Sequence, residues 1–287
     1  MKKRQFAGYL FASPWVITFL VFWLFPLLFS LYLGFTDYKL LKPTYNWVGF
    51  GNFAALFSDQ EFLTALKNTF IFVVGTIPFT TVIALTFALL LNKNFPGRTL
   101  FRSAYFMPSI TSMVVIALIF TNLYSRGGYI FMLADMIGLS PPENGFLLSN
   151  RTALYAVMAM DVWMSVGYYM LLFLAGLKSI PEELYEAAEV AGADAARKFF
   201  SITLPLLKPV MLFIIVINTI KSFQVFVEIF VMTKGRYGSS TAVYFIYDTG
   251  LSRFEFGYAS AAAYILFLII AVFSLAQFGL LKQRGMQ

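Results

Sequence analysis

Six stretches of this chain are apolar for about the length a helix needs to cross a bilayer, roughly 20 residues. They run over about residues 9–35, 68–91, 105–124, 152–175, 206–232 and 257–281. Backbone placed in hydrocarbon must satisfy its own N–H and C=O groups, which leaves helices and closed barrels as spanning structures. The 34 Phe and 16 Tyr would suit the aromatic girdles of a barrel, but barrel strands alternate in segments of roughly 10 residues, whereas these runs are continuous. The sequence therefore predicts an all-α membrane protein with six transmembrane helices. Only 12% of its 287 residues are charged and mean hydropathy is +0.76, against roughly 25% charged in soluble domains.

The chain contains neither Cys nor His. That removes Cys/His zinc sites, thiol redox chemistry and any nucleophile activated by an imidazole. The net charge of +7 does not read as a nucleic-acid footprint, because the basic residues lie mainly in short loops beside apolar spans, where they orient helices. Placing the N-terminus in the cytoplasm puts twelve Lys and Arg inside and eight outside, with Lys221 within a span. The inner segments are also the shorter ones, so both termini are expected to be cytoplasmic. The opening "MKKRQFAGYLFASPWVITFL" starts like a signal peptide, but its apolar stretch is too long and lacks a small-x-small cleavage site. It reads as a retained first span. Residues 1–64 form an N-terminal span with its external loop, and residues 65–287 a core transmembrane domain.

The outer loops "DYKLLKPTYNWVGFGNF", "SRGGYI…LSPPENGF" and "TKGRYGSST" are rich in Gly, Pro and Asn, which marks turns rather than strands. Pro14, Pro26, Pro78 and Pro108 fall within spans, where each removes a backbone hydrogen bond and can kink its helix.

One segment, residues 176–205, looks unlike its surroundings. In "SIPEELYEAAEVAG", Pro181 suits the first helical position, Glu182 and Glu183 complement the helix dipole, and Gly192 suits a left-handed C-cap. "ADAARKFFSITLP" then reads as a second helix capped by Asp194, with Pro205 leading into the fifth span. Ala187, Ala188 and Ala191 keep one side of this elbow thin, and Glu186 offers a carboxylate to a partner's Arg. A helix merely lying on lipid is the competing reading. The five acids Glu182, Glu183, Glu186, Glu189 and Asp194 oppose an anionic membrane surface, which favours a protein partner.

Charge inside a bilayer costs about 2.5–3.5 kcal/mol at a helix centre, yet the fifth span carries "NTIKSFQVFVE". At 100° per residue Asn218, Lys221, Ser222, Gln224, Val225 and Glu228 fall on one half of a continuous helix, a stripe expected to face a cavity or another helix. Lys221 and Glu228 are readable either as a shared charge network or as ligand contacts. The fourth span adds Asp161, Trp163, Ser165, Tyr168 and Tyr169, whose ring faces and hydroxyls suit sugar rings, although aromatic residues in spans also serve as packing and interface anchors.

Glu186-Ala187-Ala188, then Gly192, then Ile202-x-Leu204-Pro205 resembles the EAA motif of inner-membrane permease subunits of binding-protein-dependent ABC importers. "LLFLAGLKSIPEELYEAAEVAGADAARKFFSITLPLLKP" is similar to the sugar-importing branch that includes the maltose, lactose and glycerol-3-phosphate systems. The resemblance covers about residues 65–285. It implies a type I ABC importer permease fold in which the elbow is a cytoplasmic coupling helix between spans four and five, docked into a groove on an ATPase subunit. Glu186 would then meet an ATPase arginine, Gly192 would permit the bend, and Leu204 and Pro205 would close the motif. The resemblance also implies a sugar site on spans four and five, with Tyr168 and the Asn218–Ser222 region closest. The outer turn "TKGRYGSST" replaces the Gly-Gly-Pro version of the commoner branch.

The implied assembly contains a second homologous permease, two ATPase subunits and an extracytoplasmic solute-binding protein in a prokaryotic inner membrane. It would move a di- or oligosaccharide, with no nucleic acid involved. No G-x4-G-K-[ST] P-loop occurs, so the chain is expected to be no enzyme, to carry no cofactor, and to leave ATP and Mg to the partner ATPases. An ion-coupled secondary transporter or channel using Lys221, Glu228 and Asp161 is the other transport reading. It lacks the paired inverted halves such folds show. An intramembrane enzyme would have only Asp161 and isolated polar residues to draw on.

Overall fold

A computed structural model describes residues 2–42 and 44–283, with side chains over 11–42 and 44–279. Arg284, counted above as an inner charge, lies outside the described residues, as do the side chains of Lys2, Lys3, Arg4 and Lys282. Fourteen α-helices follow one another among the described residues: α1 Lys2–Phe19, α2 Phe25–Gly34, α3 Gly51–Leu56, α4 Gln60–Asn92, α5 Arg98–Ile110, α6 Met113–Tyr124 and α7 Tyr129–Met136, then α8 Ala153–Lys178, α9 Glu182–Val190, α10 Ala195–Lys198, α11 Leu204–Phe223, α12 Val227–Met232, α13 Ala242–Tyr247 and α14 Phe256–Gln283. No strand occurs among them; the extended backbone contributes one isolated bridge, Thr36 to Trp47.

Five helical stretches are long and apolar enough to cross a bilayer: Phe11–Gly34, Gln60–Asn92, Ala153–Lys178, Ala195–Met232 and Phe256–Gly279. The third expected span differs from the sequence reading. Residues 105–124 are not one straight helix, because α5 and α6 meet at 97°, with Thr111 and Ser112 extended at ψ 149° and 126°. Pro108 lies in the last turn before the bend, where its missing N–H already weakens the helix. The fifth expected span is also interrupted. Helix α11 stops at Phe223, Phe226 leaves helical geometry at φ −144°, and α12 starts at Val227. The first span carries a π-helical turn, Leu20–Leu24, just before Pro26.

The residues group into two compact units, Met1–Leu63 with Phe245–Leu268, and Thr64–Tyr244 with Ile269–Gln287. In the first unit, Asn52 ties the end of α2 by donating to the Gly34 and Thr36 carbonyls at 2.9 and 2.8 Å. The Asn46 backbone N–H donates to Asp37, and this bond holds the Asp37 carboxyl below the usual carboxylate range. Arg253 joins Asp248 at 2.9 Å and Glu61 at 2.8 Å, while Lys39 pairs with Glu255.

The second unit is organised around α8, the most deeply buried spanning helix. One side packs Val157, Met160 and Met164 against Ile116, Ala117 and Ile229. The other packs Tyr169, Phe173, Leu174 and Leu177 against Ala84, Ala88, Leu207 and Ile214. Two positions explain how α5 comes so close to α8. A Cβ on Gly167 would lie 1.9 Å from the Tyr105 carbonyl oxygen, so only glycine admits α5 at this depth. The Ser109 hydroxyl donates to the Met164 carbonyl at 2.7 Å and accepts from the Tyr168 N–H at 3.1 Å. Those two groups are the i and i+4 partners of one turn of α8, which runs as a single helix from Ala153 to Lys178. The bend at Thr111 is thus accompanied by a contact between elements far apart in sequence.

Candidate functional site

The elbow of residues 176–205 is built from local bonds. Pro181 stands at the N-cap of α9 rather than inside it (φ −58°, ψ 135°), with Glu182 and Glu183 in the first turn. Gly192 takes φ +75°, a conformation that penalises side chains, and the turn closes through Gly192 N–H to Glu189 O and Ala193 N–H to Ala188 O, both 2.9 Å. Asp194 caps α10 by accepting the Arg197 N–H at 2.7 Å. The expected single second helix is instead α10, a π-helical turn at Phe199–Thr203, and then α11. Leu204 and Pro205 follow the π-helical turn without a break in helical backbone, the Leu204 N–H donating to Phe199 O, so the missing Pro205 N–H falls where the helix has already loosened.

Tyr185 and Thr203 share a 2.9 Å hydroxyl contact, Lys198 pairs with Glu189 at 3.4 Å, and Tyr185 and Ile202 pack on the cluster around Phe173 and Leu177. The base of the elbow is therefore fixed to the spans, and its tip is not covered. Glu186, Ala187 and Gly192 are exposed, Ala188 is half-buried, and no ion pair to Glu186 occurs among the described residues. Val190 is 92% exposed. The sequence reading passed over this apolar tip, whose signal was a valine between the acidic turn and the C-cap glycine.

Two open clefts lie where α6, α8, α11 and α12 approach one another. The larger, about 450 Å³, is lined by Met113, Lys221, Gln224, Glu228 and neighbouring apolar residues. The smaller, about 290 Å³, is lined by Ser109, Met113, Ser165, Tyr168, Tyr169 and Lys221 among others. Met113, Ile217 and Lys221 line both. The larger cleft receives both helix breaks: Met113 begins α6 after the 97° bend, and Gln224 to Val227 cross the gap between α11 and α12. Irregular backbone at membrane depth is tolerated where it lines a cavity or is buried in protein.

Lys221 Nζ lies 3.1 Å from Asp161 Oδ1 and 2.6 Å from Ser165 Oγ, so α11 is tied to α8. Its ion pair is with Asp161, not along its own helix with Glu228. The expected stripe divides in two. Lys221 and Gln224 face the larger cleft with Glu228, whereas Asn218 and Ser222 are buried beside α4, where Thr76 and Ser222 hydroxyls are 3.2 Å apart. Ser222 donates to Asn218 Oδ1 at 3.4 Å. Tyr168 lines the smaller cleft. Trp163, half-exposed, packs against Phe120 with ring centroids 5.2 Å apart and planes tilted by 50°, and lines neither. Ser109 and Met113 were not picked out from sequence, because only the α5–α6 bend brings them to this place.

A family profile described as the binding-protein-dependent transport system inner membrane component matches residues 77–284. The chain belongs to this family. It is 35% identical over 285 residues to the Probable ABC transporter permease protein YesP of Bacillus subtilis (strain 168), covering 97% of this chain and 91% of that one. It is 35% identical over 278 residues to the Arabinooligosaccharides transport system permease protein AraP of the same organism, with 95% and 88% covered. Among solved structures, a bacterial ABC transporter involved in the import of the acidic polysaccharide alginate superposes with TM-score 0.85 at 26% identity, covering 98% of this chain and 96% of that one. The inner membrane component family accounts for the multi-pass helical architecture and for a type I importer permease fold. The matched region contains the elbow and every cleft-lining residue named above.

Proposed function

We propose that this chain is one permease subunit of an ATP-driven importer that moves a di- or oligosaccharide delivered by an extracytoplasmic solute-binding protein. Both termini and the elbow face the cytoplasm, as the distribution of Lys and Arg favours. A second homologous permease completes the pore, two ATPase subunits hydrolyse ATP, and this chain itself hydrolyses nothing.

The observation that carries the reading is the elbow: anchored at its base by Tyr185, Ile202 and Thr203, yet exposed at Glu186, Ala187 and Val190. A body fixed to two spans and uncovered at its tip is suited to transmit a partner's motion. The ATPase groove would receive the thin alanine side, and Glu186 would accept hydrogen bonds from an arginine there. Spans four and five then move with the elbow, carrying the residues of both clefts with them. The carbohydrate cargo is supported by the sugar-branch motif and by the arabinooligosaccharide relative.

The test is Glu186→Lys in the assembled complex. Loss of at least nine-tenths of substrate-stimulated ATPase activity is expected, with all subunits still purifying together. Full stimulation in the variant would contradict the coupling role.

A further inference from the structure

Which carbohydrates can pass is constrained by the charges around the two clefts. Lys221 lines both clefts, and its charge is already met by Asp161 at 3.1 Å. Glu228, 5% exposed, is the other charged lining residue among those described. With Glu228 ionised, Asp161, Lys221 and Glu228 sum to one negative charge; with Glu228 protonated they sum to zero. Neither state leaves surplus positive charge. The lining groups free of such commitments are neutral: the Tyr168 hydroxyl, on a side chain 43% exposed, and the exposed Gln224 amide.

A hydroxyl and an amide exchange hydrogen bonds with sugar hydroxyls, donating and accepting at need. A carboxylate is different. Passing between largely apolar walls strips part of its hydration, a loss that a cation or several converging donors can offset. Among the described residues the single lining cation is held by Asp161, and Glu228 adds repulsion when ionised.

Resting on the carbohydrate-importer reading, we infer that the ligand passing these clefts is an uncharged oligosaccharide, and that Asp161 and Glu228 together reject acidic sugars. On this point the chain parts from the similar alginate importer, whose cargo is an acidic polysaccharide.

The test uses the whole complex, purified from its native membrane with its solute-binding protein and reconstituted into vesicles. The probes are labelled arabino- and maltooligosaccharides, and the same sugars oxidised at the reducing end to aldonates, which differ by one carboxylate. Each is supplied at a concentration that saturates the binding protein, so that loading is equal. ATP-dependent uptake of a neutral probe is expected, with its aldonate at least tenfold slower. Equal uptake of the pair overturns the inference and leaves the importer standing. Uptake of neither, with an amino acid or peptide moved instead, overturns the carbohydrate reading as well. The chain's own part is read from Asp161→Asn and, separately, Glu228→Gln, each removing one negative charge. The aldonate-to-neutral uptake ratio should rise at least fivefold in each variant that assembles. An unchanged ratio in an assembled variant assigns the discrimination elsewhere and overturns the inference.

Discussion

Lys221 shows how little one residue's sequence neighbourhood determines its role. Along α11 its nearest candidate partner was Glu228, seven residues on, yet the chain ends that helix at Phe223 and offers Asp161 from α8 instead. Asp161 is 2% exposed, so removing its counter-charge strands a carboxylate in a low-dielectric place. Breaking such a pair costs about 3–5 kcal/mol, and replacing both partners by apolar residues is often neutral. Lys221 is itself partly open to the cleft, which lowers the expected cost of Lys221→Met to about 2–3 kcal/mol. Thermal unfolding of the purified complex should therefore show Lys221→Met clearly destabilised and Asp161→Leu/Lys221→Met restored by more than half. Additive losses in the double variant would mean that the two side chains do not act as a pair.

At the scale of elements, the spanning helices were legible and the breaks within them were not. Continuous apolar runs impose helices in a bilayer whatever their neighbours do, and the elbow could be read because Pro181, Gly192 and Asp194 act through their own backbone and the next few residues. The 97° bend between α5 and α6 has no comparable local cause. Pro108 permits it, but the contacts that accompany it are Gly167 against Tyr105 and the Ser109 hydroxyl bonded to Met164 and Tyr168 of α8. These partners lie more than fifty residues apart. For the same reason Met113 could not be assigned to the clefts from sequence, nor could Asn218 and Ser222 be separated from Lys221. Gly167→Ala places a methyl against backbone that cannot give way like a flexible side chain. A loss of about 1–3 kcal/mol is expected, read as reduced thermal stability, with transport falling because the smaller cleft at Tyr168 is displaced. Wild-type stability and uptake would show that α5 can move away freely.

At the scale of the whole molecule, the proposed coupling role requires motion to pass from the elbow to the clefts. Elbow and clefts share α8 and α11: the elbow connects the end of one to the start of the other, and the Lys221–Asp161 pair ties the same two helices at the clefts. On this account the chain has no independent activity and depends on partners that supply energy, the other half of the pore and loaded substrate. The most direct test of that dependence is to purify tagged chain from its native membrane and identify by mass what accompanies it. The account predicts a P-loop ATPase, a homologous permease and a solute-binding protein that holds a carbohydrate. A chain that purifies alone and moves solute down an ion gradient in vesicles would contradict it.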